Sequence, residues 1–279
     1  MEWMGGRRST NIEDRRGMPI GRMAIGGGLG TIVLVILGLI LGVDPRALLD
    51  TTTSDSGVTA PAPVDDNLKD FVSAIVGYTE DTWSEIFRES GRTYRPPTLV
   101  LYSGAVESAC GFGHAAMGPF YCPGDEKVYL DMSFFRELRN RFHAPGEFAE
   151  AYVIAHEIGH HVQNLLNITD QVNSFQGRSR AVDANQASVR LELQADCLAG
   201  LWANRTEQIQ HAQARTFLDP GDLEEALRAA SMIGDDKLQM ETQGYVVPES
   251  FTHGTADQRA HWFKQGFQSG EFSACDTFN

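Results

Sequence analysis

One run of the sequence constrains the fold more than any other: residues 148–166, whose apolar side chains recur at helical spacing. The run predicts a buried helix. His156 and His160 are four positions apart and therefore on one face of it, where two imidazole nitrogens can converge on one metal ion. Glu157 lies about 100° around the helix from His156, too far to be a third ligand but near enough to reach a metal-bound water. Gly159 lacks a side chain, which would let another element come close at the metal.

This spacing is typical of zinc hydrolases, but it needs a third ligand. Zinc lowers the pKa of bound water to about 7, and a carboxylate beside it can accept the proton as hydroxide attacks a polarised carbonyl. The run at residues 189–202 is also helical in pattern and carries Glu192 and Asp196 on one face. Two inward-facing acids are costly unless they meet a cation or hydrogen-bond donors. We therefore predict that Glu192 completes a His₂Glu zinc site. Asp196 is predicted to accept the spare ring N–H of a ligating histidine.

The metal motif resembles that of a known class of enzyme. His156-Glu157-x-x-His160 followed by Glu192-x-x-x-Asp196 is similar to the gluzincin arrangement. From about residue 67 to the C-terminus the chain resembles the bacterial neutral zinc metallopeptidase family, with further marks of the likeness in segments 118–123, 128–131 and 253–263. The resemblance implies a zincin fold and peptidase chemistry, but no known substrate.

The periodicity elsewhere predicts an α+β domain that is mainly helical and has a small β-sheet. Helices are predicted over residues 65–92, 132–142 and 223–232 and near 256–268, and short β-type runs over 98–102 and 127–131. In zincins such a sheet lies above the active helix, and its edge strand can bind an extended peptide through main-chain hydrogen bonds. The sequence does not tell whether these two strands provide that edge.

Residues 23–43 contain no charge and are long enough, at about 1.5 Å per residue, to cross a hydrocarbon core of about 30 Å. We expect a transmembrane helix here. The alternatives are a cleaved signal peptide, whose apolar region is usually only about 7–15 residues long, and a buried core helix, which would have a polar face. Five arginines precede the stretch: Arg7, Arg8, Arg15, Arg16 and Arg22. The positive-inside rule therefore predicts a single pass through the cytoplasmic membrane, with residues 1–22 in the cytoplasm and the catalytic domain outside.

Composition divides the rest of the chain into a linker and a domain. Residues 44–66 are polar and rich in Pro, Gly, Ser and Thr, which predicts a flexible linker, and residues 67–279 form the predicted zinc metallopeptidase domain. The chain has 37 acidic and 23 basic residues, a net charge of −14. Such a surface should avoid nucleic acid and anionic headgroups, although plain solubility explains the charge equally well.

The four cysteines, Cys110, Cys122, Cys197 and Cys275, all follow the apolar stretch. An even number in an exported domain favours disulfides. Cys110 and Cys122 flank a Gly-rich loop and are the natural pair, which leaves Cys197 to pair with Cys275. The alternative is a second zinc site, but the sequence has no C-x-x-C motif.

His253 lies in a Gly-flanked loop after the metal helices, where several zinc peptidases place a donor for the tetrahedral oxyanion; the alternative is a structural histidine. Glu157 and His253 are thus the predicted catalytic residues.

We predict a membrane-anchored zinc metallopeptidase that cleaves peptide or protein substrates in the cell envelope. One alternative is a non-catalytic zinc-binding envelope assembly module, against which Glu157 argues, because a structural metal has no use for a base. The other is a hydrolase of cell-wall amides.

Overall fold

A computed structural model describes residues 1–17 and 66–278 of the chain. The described residues contain helices α1 (Asp66–Glu89), α2 (Ser133–Asn140), α3 (Glu147–Leu165), α4 (Ile168–Gln176), α5 (Ala181–Ala212), α6 (Asp222–Met232), α7 (Asp235–Gln243) and α8 (Ala256–Ser269). Their strands are β1 (Ile12–Asp14), β2 (Thr98–Tyr102), β3 (Ala105–Ser108), β4 (Gly111–His114), β5 (Phe120–Cys122) and β6 (Lys127–Asp131). Residues 1–16 and 66–278 belong to one compact unit.

The sheet has four strands in the order β1-β2-β6-β5, and it is mixed. β2 is parallel to both β1 and β6, while β5 is antiparallel to β6 and forms an edge of the sheet. β3 and β4 make a separate two-stranded hairpin. β2 and β6 are buried along nearly their whole length, as expected for strands covered on both faces. Leu99 and Leu101 pack into the main helical core, whereas Val100 and Tyr102 face a smaller cluster on the other side.

Helix α3, which carries the histidine pair, is buried along most of its length, so the predicted buried helix is confirmed. Its first turn is held by a neighbouring helix, because the Phe148 backbone N–H donates to Glu225 Oε2 of α6 at 3.1 Å. Gly146, just before the helix, has φ +129°, and a Cβ there would lie 2.0 Å from the Glu225 carboxylate. Only glycine combines that backbone conformation with this close approach.

Three glycines let helices α3, α5 and α8 pack at close to backbone contact. A Cβ on Gly159 of α3 would lie 3.1 Å from the Ala195 carbonyl oxygen of α5. A Cβ on Gly200 of α5 would be 2.0 Å from the Phe263 carbonyl oxygen, and one on Gly266 of α8 would be 1.9 Å from that of Cys197. The approach predicted at Gly159 is therefore present. The other two glycines bring α8 against the helix that carries Glu192 and Asp196.

The N-terminal segment is part of the same unit as the helical domain. β1 pairs with β2 in the sheet, and Glu80 of α1 holds the residues before it. Ser9 Oγ and Asn11 Nδ2 donate to Glu80 Oε1 at 2.5 and 2.6 Å, and Arg7 Nη2 donates to Glu80 Oε2 at 2.7 Å. Glu80 is only 7% exposed, so this acidic side chain is buried beneath the segment that neutralises it.

This packing overturns the predicted membrane topology. A single crossing at residues 23–43 would place residues 1–16 and 66–278 on opposite sides of a membrane, whereas β1 and β2 are neighbours in one sheet. None of the helices in the described residues is long and apolar enough to cross a membrane. The predicted span lies outside the described residues, as does the predicted linker apart from its last residue. The single-pass location in the cytoplasmic membrane and the transmembrane helix assigned to the fold are therefore wrong, and the argument for a cell-envelope substrate, which depended on them, no longer holds.

The arginines that suggested a cytoplasmic flank have another explanation. Four of them pair with acidic side chains of the same unit: Arg7 with Glu80 and Asp81, Arg8 with Asp70, Arg15 with Glu13, and Arg16 with Asp14. The charge pattern that resembles a topology signal thus consists largely of ion pairs that fasten the segment to α1 and to its own strand.

Both predicted cysteine pairs are bonded in the structure, Cys110 to Cys122 and Cys197 to Cys275. The second bond joins α5 to the residues after α8 and spans a sequence separation of 78, against 12 for the first. On the chain-entropy account the longer loop stabilises the fold by about 4 kcal/mol and the shorter by about 3 kcal/mol.

Replacing Cys197 and Cys275 together by serine should therefore lower the free energy of unfolding, measured with denaturant, more than replacing Cys110 and Cys122. Equal unfolding midpoints for the wild type and the Cys197/Cys275 variant would contradict this.

Candidate metal centre

The two histidines and the glutamate meet where α3 and α5 cross. His156 Nε2 lies 3.1 Å from Glu192 Oε2, and His160 Nε2 lies 3.4 Å from Glu192 Oε1. One donor atom from each residue lies within 4.8 Å of those of the other two. The structure therefore brings together the three ligands predicted from the sequence.

This donor set fits zinc. Zinc–nitrogen and zinc–oxygen bonds are about 2.0–2.2 Å long, so two donors of a tetrahedral site lie roughly 3.3 Å apart. The two separations in the cluster, 3.1 and 3.4 Å, are close to that value. Two imidazoles and one carboxylate are also the ligands of a well-known class of catalytic zinc site, which keeps one position open.

Asp196 lies behind His156, one helical turn after Glu192. Its Oδ1 is 2.9 Å from His156 Nδ1, and it also accepts the hydroxyl hydrogen of Tyr152. Arg259 of α8 donates to both carboxylate oxygens, from Nε at 2.9 Å and from Nη2 at 3.0 Å. Asp196 is fully buried and Arg259 is 2% exposed, so the pair is shielded from solvent on all sides. The carboxylate can hold the Nδ1–H tautomer of His156, which leaves Nε2 for a metal.

The charges around the histidines favour a cation. Burial lowers the pKa of His156, but Asp196 and Glu192 outweigh it and raise that pKa to about 10. Burial also lowers the pKa of His160, and Glu192 again reverses the shift. Burial raises the pKa of Asp196, yet Arg259 and His156 bring it below its ordinary value. Ionised carboxylates therefore surround the ring nitrogens. A bound metal dication would stabilise these carboxylates electrostatically, as protonated histidine rings do.

A cleft of about 630 Å³ opens over the donor cluster. One of its walls includes Phe120 and Tyr121 of the edge strand β5, and another includes Leu238 of α7. Glu157 lines the cleft and is 9% exposed. It makes no hydrogen bond or ion pair with any other described residue. A carboxylate thus faces the cleft beside the donors with its lone pairs uncommitted.

His253 also lines the cleft, on the loop that leads into α8, and half of its side chain is exposed. Its Nδ1 lies 3.2 Å from Asp235 Oδ1 at the start of α7, and its backbone N–H donates to Asp235 Oδ2 at 2.6 Å. The hydrogen bond to Asp235 raises the pKa of His253, against the effect of burial. The structure therefore places His253 at the cleft and holds its ring from behind.

Sequence reasoning did not assign a role to four buried polar residues of this centre: Tyr152, Gln163, Gln194 and Arg259. Tyr152 lies within the apolar pattern of residues 148–166, and Arg259 lies within segment 253–263, which marks the family likeness. One signal was available for the two residues on α3. Tyr152 and Gln163 lie four positions before His156 and three after His160, so helical geometry brings each next to a ligand.

Fold and site together define a protein of the HExxH zinc class, with its donors held on two crossed helices. The chain belongs to the family described as "Putative neutral zinc metallopeptidase", which matches residues 1–278 and so includes the N-terminal segment. It is 45% identical over 289 residues to the uncharacterized protein YpfJ of Escherichia coli strain K12, covering 100% of this chain and 99% of that protein. It is 39% identical over 253 residues to the uncharacterized protein Rv2575 of Mycobacterium tuberculosis strain H37Rv, covering 86% of this chain and 85% of that protein. No solved structure matches the chain. The predicted family is confirmed, and the metal it implies is zinc.

Proposed function

We propose that this protein hydrolyses peptide bonds in the cleft, with zinc held by His156, His160 and Glu192 and with Glu157 as general base. The observation that carries the proposal is the position of Glu157, which lines the cleft next to the donor cluster without a hydrogen-bond or ion-pair partner in the part of the chain that the structure describes. A buried carboxylate needed only for the fold would be paired. A purely structural zinc site normally has four protein ligands, and this cluster supplies three, which favours catalysis over a silent zinc-holding role.

Each step of the hydrolysis can be assigned to particular residues of the cleft. A bound zinc ion lowers the pKa of water and polarises a carbonyl oxygen. A Glu157 carboxylate oxygen accepts the proton released by the attacking water and then delivers it to the nitrogen of the leaving amine. His253, with its ring held by Asp235, donates a hydrogen bond to the substrate oxygen that gains negative charge. Asp196 and Arg259 keep His156 in the orientation that this arrangement requires.

The edge of the sheet suggests how a substrate binds. β5 pairs with β6 on one side only, and Phe120 and Tyr121 of β5 line the cleft. The unpaired side of an edge strand offers N–H and C=O groups to an extended chain. A peptide or an unfolded segment of a protein, bound along β5, would pass over Glu157. The short runs that predicted a sheet, β2 and β6, lie inside it and are not this edge.

The proposal is tested by incubating the zinc-loaded protein with a library of unstructured peptides and identifying new termini by mass spectrometry. We expect cleavage that stops when a chelator removes the metal and returns when zinc is added back. A preparation with one zinc per chain that leaves every peptide intact would speak for a non-catalytic zinc protein instead.

The pH dependence tests the role of His253. Its pKa is raised by the hydrogen bond to Asp235 and by the charge of Glu192, against burial and Arg259. The donor form is therefore complete below this raised pKa and is lost as the pH rises through it. Asp235→Asn removes the main cause of the increase, so the alkaline limb of the kcat profile should move to lower pH. His253→Gln, which does not titrate, should abolish that part of the limb. Superimposable profiles for the wild type and Asp235→Asn would exclude His253 as the titrating donor.

A further inference from the structure

We infer that Gln163 and Gln194 are positioning residues that set the tautomer of His160 and so direct its Nε2 lone pair toward the metal. The inference rests on the zinc site proposed above. His156 has a charged partner behind it, Asp196, but His160 does not: its Nδ1 lies 2.9 Å from Gln163 Oε1, three positions further along α3. A neutral amide can accept a hydrogen bond at its oxygen and donate one from its nitrogen. Which end faces His160 is therefore decided by the partners of the amide.

The partners form a continuous row of hydrogen bonds. Gln163 Nε2 donates to the Leu191 carbonyl oxygen at 2.7 Å and to Gln194 Oε1 at 3.1 Å. Gln194 Nε2 in turn donates to the carbonyl oxygen of Cys275 at 2.9 Å. The row thus runs from α3 through α5 to the residues after α8. It ends on a backbone group of a cysteine that is bonded to Cys197.

The direction of every bond in this row follows from its two backbone acceptors. A carbonyl oxygen cannot donate, so Cys275 requires the amide nitrogen of Gln194, and Gln194 Oε1 must then face Gln163. The Leu191 carbonyl independently requires the amide nitrogen of Gln163. Gln163 Oε1 is left to face His160 Nδ1, which must carry the proton. In the neutral ring, Nε2 of His160 is consequently the unprotonated nitrogen, and it is the one that lies next to Glu192.

Burial fixes the direction of the hydrogen bonds that Gln163 and Gln194 make. Gln163 is fully buried and Gln194 is 5% exposed, so water cannot replace a lost partner easily. Turning either amide over would set two donors or two acceptors against each other, and an unsatisfied buried polar group costs about 1–3 kcal/mol. The neutral row also suits the local charge. Glu157, Glu192 and Asp196 already face this part of the interior, and a carboxylate behind His160 would add a fourth negative charge.

The test measures the zinc dissociation constant by competition with a chelator of known affinity. Gln163→Met removes the amide at nearly constant side-chain length and should weaken zinc binding by about 10- to 100-fold. Gln194→Met should have a smaller effect in the same direction, because the Leu191 carbonyl still holds Gln163. Gln210→Met is the matched control: this glutamine is also buried on α5, but about 27 Å along the helix from Glu192. It should leave zinc binding unchanged.

A second readout follows the proton itself. In the zinc-loaded wild type, ¹⁵N-edited NMR should show a slowly exchanging Nδ1–H of His160, and Gln163→Met should lose it. If Gln163→Met fails to fold, Gln194→Met carries the same test. Unchanged zinc affinity in a folded Gln163→Met variant that retains the Nδ1–H signal would overturn the inference, as would unchanged zinc affinity in Gln194→Met. Both outcomes would leave the zinc site intact. Full zinc binding by His160→Ala would instead overturn the site proposed above.

Discussion

Glu157→Gln should lower kcat for peptide hydrolysis by about 10²- to 10⁴-fold and leave the zinc content at one ion per chain. The amide has nearly the same shape as the carboxylate but cannot accept the proton of the attacking water. Residue 157 is not one of the three metal donors, so zinc should remain bound in the variant. The measurements are steady-state hydrolysis of a cleaved peptide and elemental analysis of the same preparation.

Glu147→Gln is the control for this prediction. Glu147 lies in the first turn of the same helix, is exposed, and undergoes the same change of charge and atoms. It should retain wild-type turnover. If Glu157→Gln kept full activity with zinc bound, the base would have to be another group of the cleft, and the proposed mechanism would be wrong although the metal site could stand.

Arg259→Met should lower the free energy of unfolding of the metal-free protein by about 3–5 kcal/mol, because it leaves a buried charge without its partner. Asp196 is fully buried, and Arg259 donates to both of its oxygens. Among the described residues, the Tyr152 hydroxyl and His156 would then be the remaining hydrogen-bond partners of the Asp196 carboxylate. Zinc binding should weaken as well, because the orientation of His156 depends on the same carboxylate.

Two further variants separate this effect from a general loss of packing. Arg259→Met combined with Asp196→Asn removes both charges, so the double variant should be less destabilised than the sum of the two single ones in a denaturant titration. Arg180→Met removes an arginine from a solvent-exposed pair with Asp183 and should change stability little. Strict additivity of the Arg259 and Asp196 effects would show that the pair is not coupled as described.

The metal centre could be predicted in part because its ligands follow local rules. His156, Glu157 and His160 owe their arrangement to a single helix, and Glu192 and Asp196 to another, so helical periodicity predicted which of them share a face. The supporting residues obey no local rule. Arg259 reaches Asp196 across 63 positions of sequence, and only the packed fold makes them neighbours.

The same limit explains the error about the membrane. Arg8 bonds to Asp70 and Arg7 to Glu80, partners more than sixty residues away. From sequence alone, such arginines cannot be told from the charges that flank a membrane span. β1 has only three residues and shows no alternation of apolar and polar side chains, so nothing in it predicted a strand. Its place in the sheet depends on β2, which is itself clearly patterned.

The order in which the chain is made bears on how the metal centre matures. When the ribosome has completed α5, the nascent chain already carries His156, His160 and Glu192. The guanidinium that holds Asp196 and the carbonyl that orients Gln194 come only with α8 and the residues after it. A partly made chain therefore carries the metal ligands together with Asp196 and Gln163, but without Arg259 and the Cys275 carbonyl, which hold Asp196 and Gln194 in place. We therefore expect a chain that ends before α8 to bind zinc more weakly than the full chain, because Asp196 and Gln194 then lack the partners that hold them.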